Sequence, residues 1–131
     1  SSTFTIASVG TPSASISPAN GSSGISNSTD IVITFDEPVR IISGDTTLTD
    51  TNVDALITLK KTNAQGADIA FDATINSDKT TITINPTSNF SSNQVVYAAL
   101  GTTLEDLYNN EAAGIISKFS TTSSSSVTAK Q

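Results

Sequence analysis

The side chains in this sequence that could do chemistry are almost all carboxylates. Twelve Asp and Glu stand against six Lys and Arg, and the chain has no histidine and no cysteine. Without an imidazole or a thiol, neither a Ser–His nor a Cys–His nucleophilic pair can be assembled from its own residues. Paired carboxylates remain, and a glycosidase needs only two of them at a suitable separation. The nearest such pair, Asp36 and Glu37, is adjacent at the end of an extended segment, so the two side chains set out in opposite directions. The chain is therefore read as non-catalytic.

Calcium is the sharper possibility, because it takes oxygen ligands and oxygen is all these residues offer. The acids fall into three groups: Asp36 and Glu37 at a strand end, Asp45, Asp50 and Asp54 in a loop, and Glu105 and Asp106 with Glu111 in a later turn. None has the spacing of an EF-hand or of a calcium-binding nonapeptide repeat. The plain alternative is a set of solvated turn carboxylates that bond to their own backbone, and Asp106 with Asn110 has the spacing to close its turn that way. A glycan ligand would need an aromatic platform. Tyr108, beside Asn109 and Asn110 in a polar turn, is one exposed candidate, but aromatics make up 5% of the chain and tryptophan is absent. Tyr97, where a loop enters a late strand, is expected to bond its hydroxyl back to that loop, as in the tyrosine corner of Greek-key sandwiches. Threonines such as Thr80, Thr81 and Thr83 read as ordinary solvent-facing strand residues.

The elements that must position these groups are strands. A chain of 131 residues is one domain's length and can bury a core without staples. Its formal charge of −6 disfavours nucleic acid as a partner, and no apolar run approaches the length needed to cross a bilayer, so no membrane insertion is expected. The polar start lacks the charged-then-apolar pattern of a leader, and a mature fragment of a longer protein is expected. Residues 1–14 read as an N-terminal linker or first strand, with Phe4 to Val9 the strand-like part, 15–122 as the domain, and 123–131 as a Ser-rich linker.

Between the linkers, period-two alternation recurs. Ile31, Ile33 and Phe35 share one face of a strand that stops at Pro38, because proline lacks the ladder donor. Further strands are expected over Val39 to Ile42, Ala55 to Lys60, Ala67 to Ile75, Thr80 to Asn85, Val95 to Leu100 and Ile115 to Thr121. The run from Ala55 to Asn85 reads as a meander of hairpins. Gly44 to Asp54 has weak periodicity and reads as a long loop with one helical turn near Thr51 to Ala55. The whole is an all-β, Ig-like sandwich of about seven to eight antiparallel strands.

The order of several short motifs resembles that of bacterial Ig-like domains of the surface-layer type. Ser17-Pro18-Ala19-Asn20-Gly21, Ile25 and Thr29 to Val39 are similar to the family's opening turn and strand. Ile82 to Pro86, Phe90, Tyr97, Asp106 to Asn110 and Phe119 to Thr122 are similar to its second half. Asn109 stands where the family usually has glycine, and asparagine also enters the left-handed region. The resemblance implies a Greek-key sandwich acting as a spacer, often in tandem, in secreted or cell-surface bacterial proteins. It implies neighbouring domains of the parent chain as partners, with cell-surface or glycan ligands as a further possibility, and a monomer. The alternative reading is a module that binds calcium or glycan through its acidic loops.

Overall fold

A computed structural model describes residues 11–122; the strand read over Phe4 to Val9 and the Ser-rich run after Thr122 lie outside the described residues. Nine strands are present among them, with only short 3-10 turns besides. The alternating Ile31–Phe35 segment forms β2, and Ile31, Ile33 and Phe35 are buried while Thr34 is exposed. It sits inside a four-stranded antiparallel sheet of order β1 (Ala14–Ser17), β2, β6 (Thr81–Pro86), β5 (Phe71–Ile75). The facing sheet has order β4 (Ile57–Lys61), β7 (Val95–Leu100), β9 (Ile115–Ser120). A small ribbon pairs β3 (Val39–Ile41) with β8 (Leu104–Asp106). The inner faces meet in one apolar core that includes Ile33, Ile84, Val96, Leu100 and Phe119.

The meander is half correct. β5 and β6 form the expected hairpin, but β4 lies in the other sheet. Residues 67–69 still lean on β4, with Lys61 N–H donating to Ala67 C=O (2.9 Å) and Ile69 N–H to Leu59 C=O (2.9 Å), before the chain crosses over. Alternation reports which face of a strand is buried, and the same pattern serves a strand in either sheet.

The segment read as a long loop is anchored to the core at two points. Leu48 and Val53 are completely buried, the latter in the 3-10 turn Val53–Leu56. Between them Asn52 and Thr49 bond reciprocally: Thr49 N–H donates to Asn52 Oδ1 (2.8 Å) and Asn52 N–H to Thr49 Oγ1 (3.0 Å).

The chain enters and leaves at opposite poles. Ser13 is paired with Asp36 at the Phe35 end of β2. Thr122 accepts from Asn93 N–H (3.0 Å) at the far end, where β7 begins. The edge of β9 is covered by the Pro-Asn-Gly stretch after β1, which runs parallel to it. Gly21 N–H donates to Lys118 C=O (2.8 Å), Ser120 N–H to Ser22 C=O (2.9 Å) and Thr122 N–H to Ile25 C=O (2.8 Å). Asn20 Oδ1 accepts from Lys118 N–H at 2.9 Å.

Candidate functional site

The densest polar cluster lies on the β3–β8 ribbon and the turn that follows it. Cross-strand pairing sets Arg40 opposite Glu105 and Val39 opposite Asp106. Arg40, the chain's single arginine, donates from Nε to Glu105 Oε2 (2.9 Å) and from Nη2 to Asn109 Oδ1 (2.9 Å). It also stands 3.4 Å from Asp45 Oδ1. Glu105 is buried, so without Arg40 its charge would be left uncompensated in the interior.

Asp106 is fully buried. Its Oδ1 accepts from the backbone N–H of Tyr108 (2.7 Å) and of Asn110 (2.9 Å), and its Oδ2 from Asn110 Nδ2 (2.9 Å). Asp106 N–H in turn donates to Asn110 C=O. The turn therefore closes on one side chain, as the spacing of Asp106 and Asn110 predicts. Asn109 completes it with φ of 70°, the left-handed conformation that asparagine tolerates.

A second carboxyl, Glu37, touches Asp106. Burial pushes the Glu37 carboxyl upward, and the Asp106 charge, a hydrogen bond to Asp106 and the Asp36 charge push it the same way. For Asp106, burial alone would raise the pKa, but hydrogen bonds from Asn110, Tyr108 and Glu37 outweigh it and hold the carboxyl below its ordinary value. Two carboxyls in contact share one proton most stably, and as pH falls Glu37 is the first of the pair to take it. A group whose folded-state pKa is raised contributes stability that is present below its unfolded pKa and lost as pH rises through the folded pKa. Glu37→Gln keeps a donor for Asp106 without the charge. The variant is expected to melt roughly 2 °C above the parent at pH 7, a shift typical of a partly exposed like-charge pair. At pH 4 the two proteins should melt together, and equal melting points at both pH values would show that the contact carries no repulsion.

The remaining acids are dispersed. Asp36 Oδ1 accepts from Ser13 N–H (2.9 Å), which ties the entry of β1 to the end of β2. Asp54 Oδ1 accepts from Ala73 N–H (2.9 Å) and Asp50 Oδ1 from Ile75 N–H (3.0 Å), both on β5. The fold thus brings Glu37, Asp45, Glu105 and Asp106 to one region around Arg40 and sends Asp36, Asp50 and Asp54 elsewhere. Among the described residues no group of three or more acids is arranged to hold a metal ion.

The two tyrosines differ. Tyr108 is 70% exposed beside the exposed Leu107, as its place in a polar turn predicts. Tyr97 is not a tyrosine corner. It lies within β7 on the face away from Val96 and Ala98, opposite Lys60 and Lys118, and its hydroxyl makes no hydrogen bond within residues 11–122. An open groove of about 550 Å³ runs between β4 and the approach to β5, lined by Thr58, Leu59, Lys60, Ile69 and Phe71. Its ammonium is already taken, since Lys60 Nζ lies 2.6 Å from Asp68 Oδ1. One contact that sequence reasoning missed is Arg40–Glu105. The only sign of it was a lone arginine in a strand, and its partner is 65 residues away.

Sheet order, antiparallel pairing and core together define an Ig-like β-sandwich. The sequence profile of the bacterial Ig-like domain matches residues 11–123, and the chain belongs to that family. No curated protein matches the sequence. Solved structures show the same fold at low identity. Domains 1–6 of the surface layer protein SbsC align with a TM-score of 0.56 and 15% identity, over 88% of this chain and 14% of that one. The N-terminal part of SbsC aligns with a TM-score of 0.54 and 16% identity, over 86% and 24%. L,D-transpeptidase 1 of Mycobacterium tuberculosis aligns with a TM-score of 0.51 and 17% identity, over 86% of this chain and 38% of that one. This chain therefore spans a minor part of each of these proteins. Among the described residues no helix is long and apolar enough to cross a membrane.

Proposed function

We propose that this domain is a non-catalytic spacer of a bacterial secreted or cell-surface multidomain protein, holding neighbouring domains apart and transmitting tension between them. The observation that carries this reading is the parallel pairing of residues 21–25 with β9, joined to an entry and an exit at opposite poles. Tension applied through the two ends runs along both segments. The backbone bonds between them lie across that direction, so they are loaded together and must break together. Family membership and the surface-layer structures of the same fold support the setting.

Because the chain lacks cysteine, single thiols introduced at Ser2 and Ser124 give pulling handles at the two ends. The expected result is an unfolding force higher than when the same chain is pulled between Ser2 and a thiol at Ser77, exposed in the β5–β6 turn at the entry pole, a direction that peels strands one bond at a time. Equal forces in the two directions would sink the tension-bearing reading. Melting the same protein in calcium and in EDTA separates the rival: a spacer shows no difference, whereas a calcium-dependent rise would make it a binding module.

A further inference from the structure

β5 is the outer strand of its sheet, and outer strands offer unpaired backbone groups to any passing strand. Thr87 N–H bonds Ala70 C=O and Asn76 N–H bonds Thr81 C=O, so the even-numbered backbone groups here face β6. The odd-numbered groups, Phe71, Ala73 and Ile75, consequently face outward. Two of those outward N–H groups do not meet water. Ala73 N–H donates to Asp54 and Ile75 N–H to Asp50.

The spacing of donors and acceptors matches. Two residues of strand advance about 6.8 Å. Four residues of helical turn advance roughly 6 to 8 Å, between the α and 3-10 values. Carboxylates at positions 50 and 54 therefore reach N–H groups at 75 and 73, in antiparallel order. Leu48 and Val53, both completely buried, fix the segment that carries them.

We propose that residues 44–56 are an edge shield, in which Asp50 and Asp54 stand in for the carbonyls of a next strand and so keep β5 from pairing with β5 of a second copy. The edge is self-complementary. Antiparallel pairing about a two-fold axis at Ala73 sets Phe71 opposite Ile75 of the second copy, and Asp72 opposite Thr74, so no two acids are directly opposed. Uncovered, β5 takes its own copy.

The test uses the full chain with Asp50→Ala and Asp54→Ala combined, followed by light scattering after size exclusion and by amide hydrogen exchange. The expected result is a concentration-dependent dimer, with Ala73 and Ile75 amides exchanging roughly tenfold faster than in the parent when the protein is dilute enough to be monomeric. Asp50→Asn with Asp54→Asn keeps an acceptor oxygen at each position and is expected to stay monomeric. Adding Thr74→Asp to the alanine pair sets like charges opposite each other and should return it to monomer. An alanine pair that stays monomeric at every concentration overturns the proposal, as does a dimer that survives Thr74→Asp. The single alanine variants each remove one bond, and they decide the question by the same criteria if the pair does not fold.

Discussion

Phe119→Ala is expected to lose about 3–5 kcal/mol of stability, the range for removing a fully enclosed aromatic ring. Phe119 is 1% exposed and lies on β9, directly opposite Val96 of β7. Its ring meets Phe90 edge-to-face, with centroids 6.0 Å apart and planes at 69°. The alanine would leave a cavity that neither sheet can close, because both are held by their ladders. Native domains are stable by only ~5–15 kcal/mol, so this single change removes a large share of the total. The melting temperature should fall by roughly 10–20 °C. Urea denaturation of Phe119→Ala, Phe90→Ala and the double variant checks the argument. The edge-to-face contact predicts a coupling of about 0.5–1.5 kcal/mol between the two positions. A loss under ~1 kcal/mol for Phe119→Ala would mean that the ring is not part of the packed interior.

Ile31, Ile33, Phe35, Ile82 and Ile84 were legible in the sequence. Each lies in an alternating run in which one face is apolar, and all are buried. Leu48 and Val53 were not legible, although both are completely buried. They stand singly among threonines and aspartates, where no period marks a face, and only the tertiary fold gives them a surface to cover. Sheet membership was hidden for a related reason: the turn after β4 looks like a hairpin in sequence, and it is the crossing at residues 69–71 that separates β4 from β5.

The acids divide along the same line. Asp106 was readable because its partners are two and four residues on, within reach of a single turn. Asp50 and Asp54 were not, because the N–H groups they accept from are 25 and 19 residues away. Tyr97 misled because its place before a late strand matches the tyrosine-corner pattern, while the register of β7 turns the ring to the outer face between two lysines. Local chemistry survives in a sequence window, whereas long-range pairing depends on registers that alternation leaves open.

That contrast bears on the second large effect. Asp106→Ala is expected to lose about 3 kcal/mol at pH 7. The aspartate accepts three hydrogen bonds inside the fold, and bonds to a charged acceptor contribute about 1.5–3 kcal/mol each, though the turn recovers part of the loss by opening to water. The ribbon beside it should loosen too, since Asn109, which anchors Arg40, sits in the same turn. The pH dependence has a definite sign. The folded-state pKa of Asp106 is depressed, so its contribution is present above the unfolded value near 3.9 and is lost as pH falls through the folded value. The difference in urea midpoint between parent and Asp106→Ala should accordingly be constant from pH 5 to 8 and shrink below about pH 4. Glu37 reinforces the contrast, since as pH falls it takes up the shared proton while Asp106 is still ionised. If the difference at pH 3 equalled that at pH 7, the turn would be held by the shape of the aspartate side chain and not by its charge.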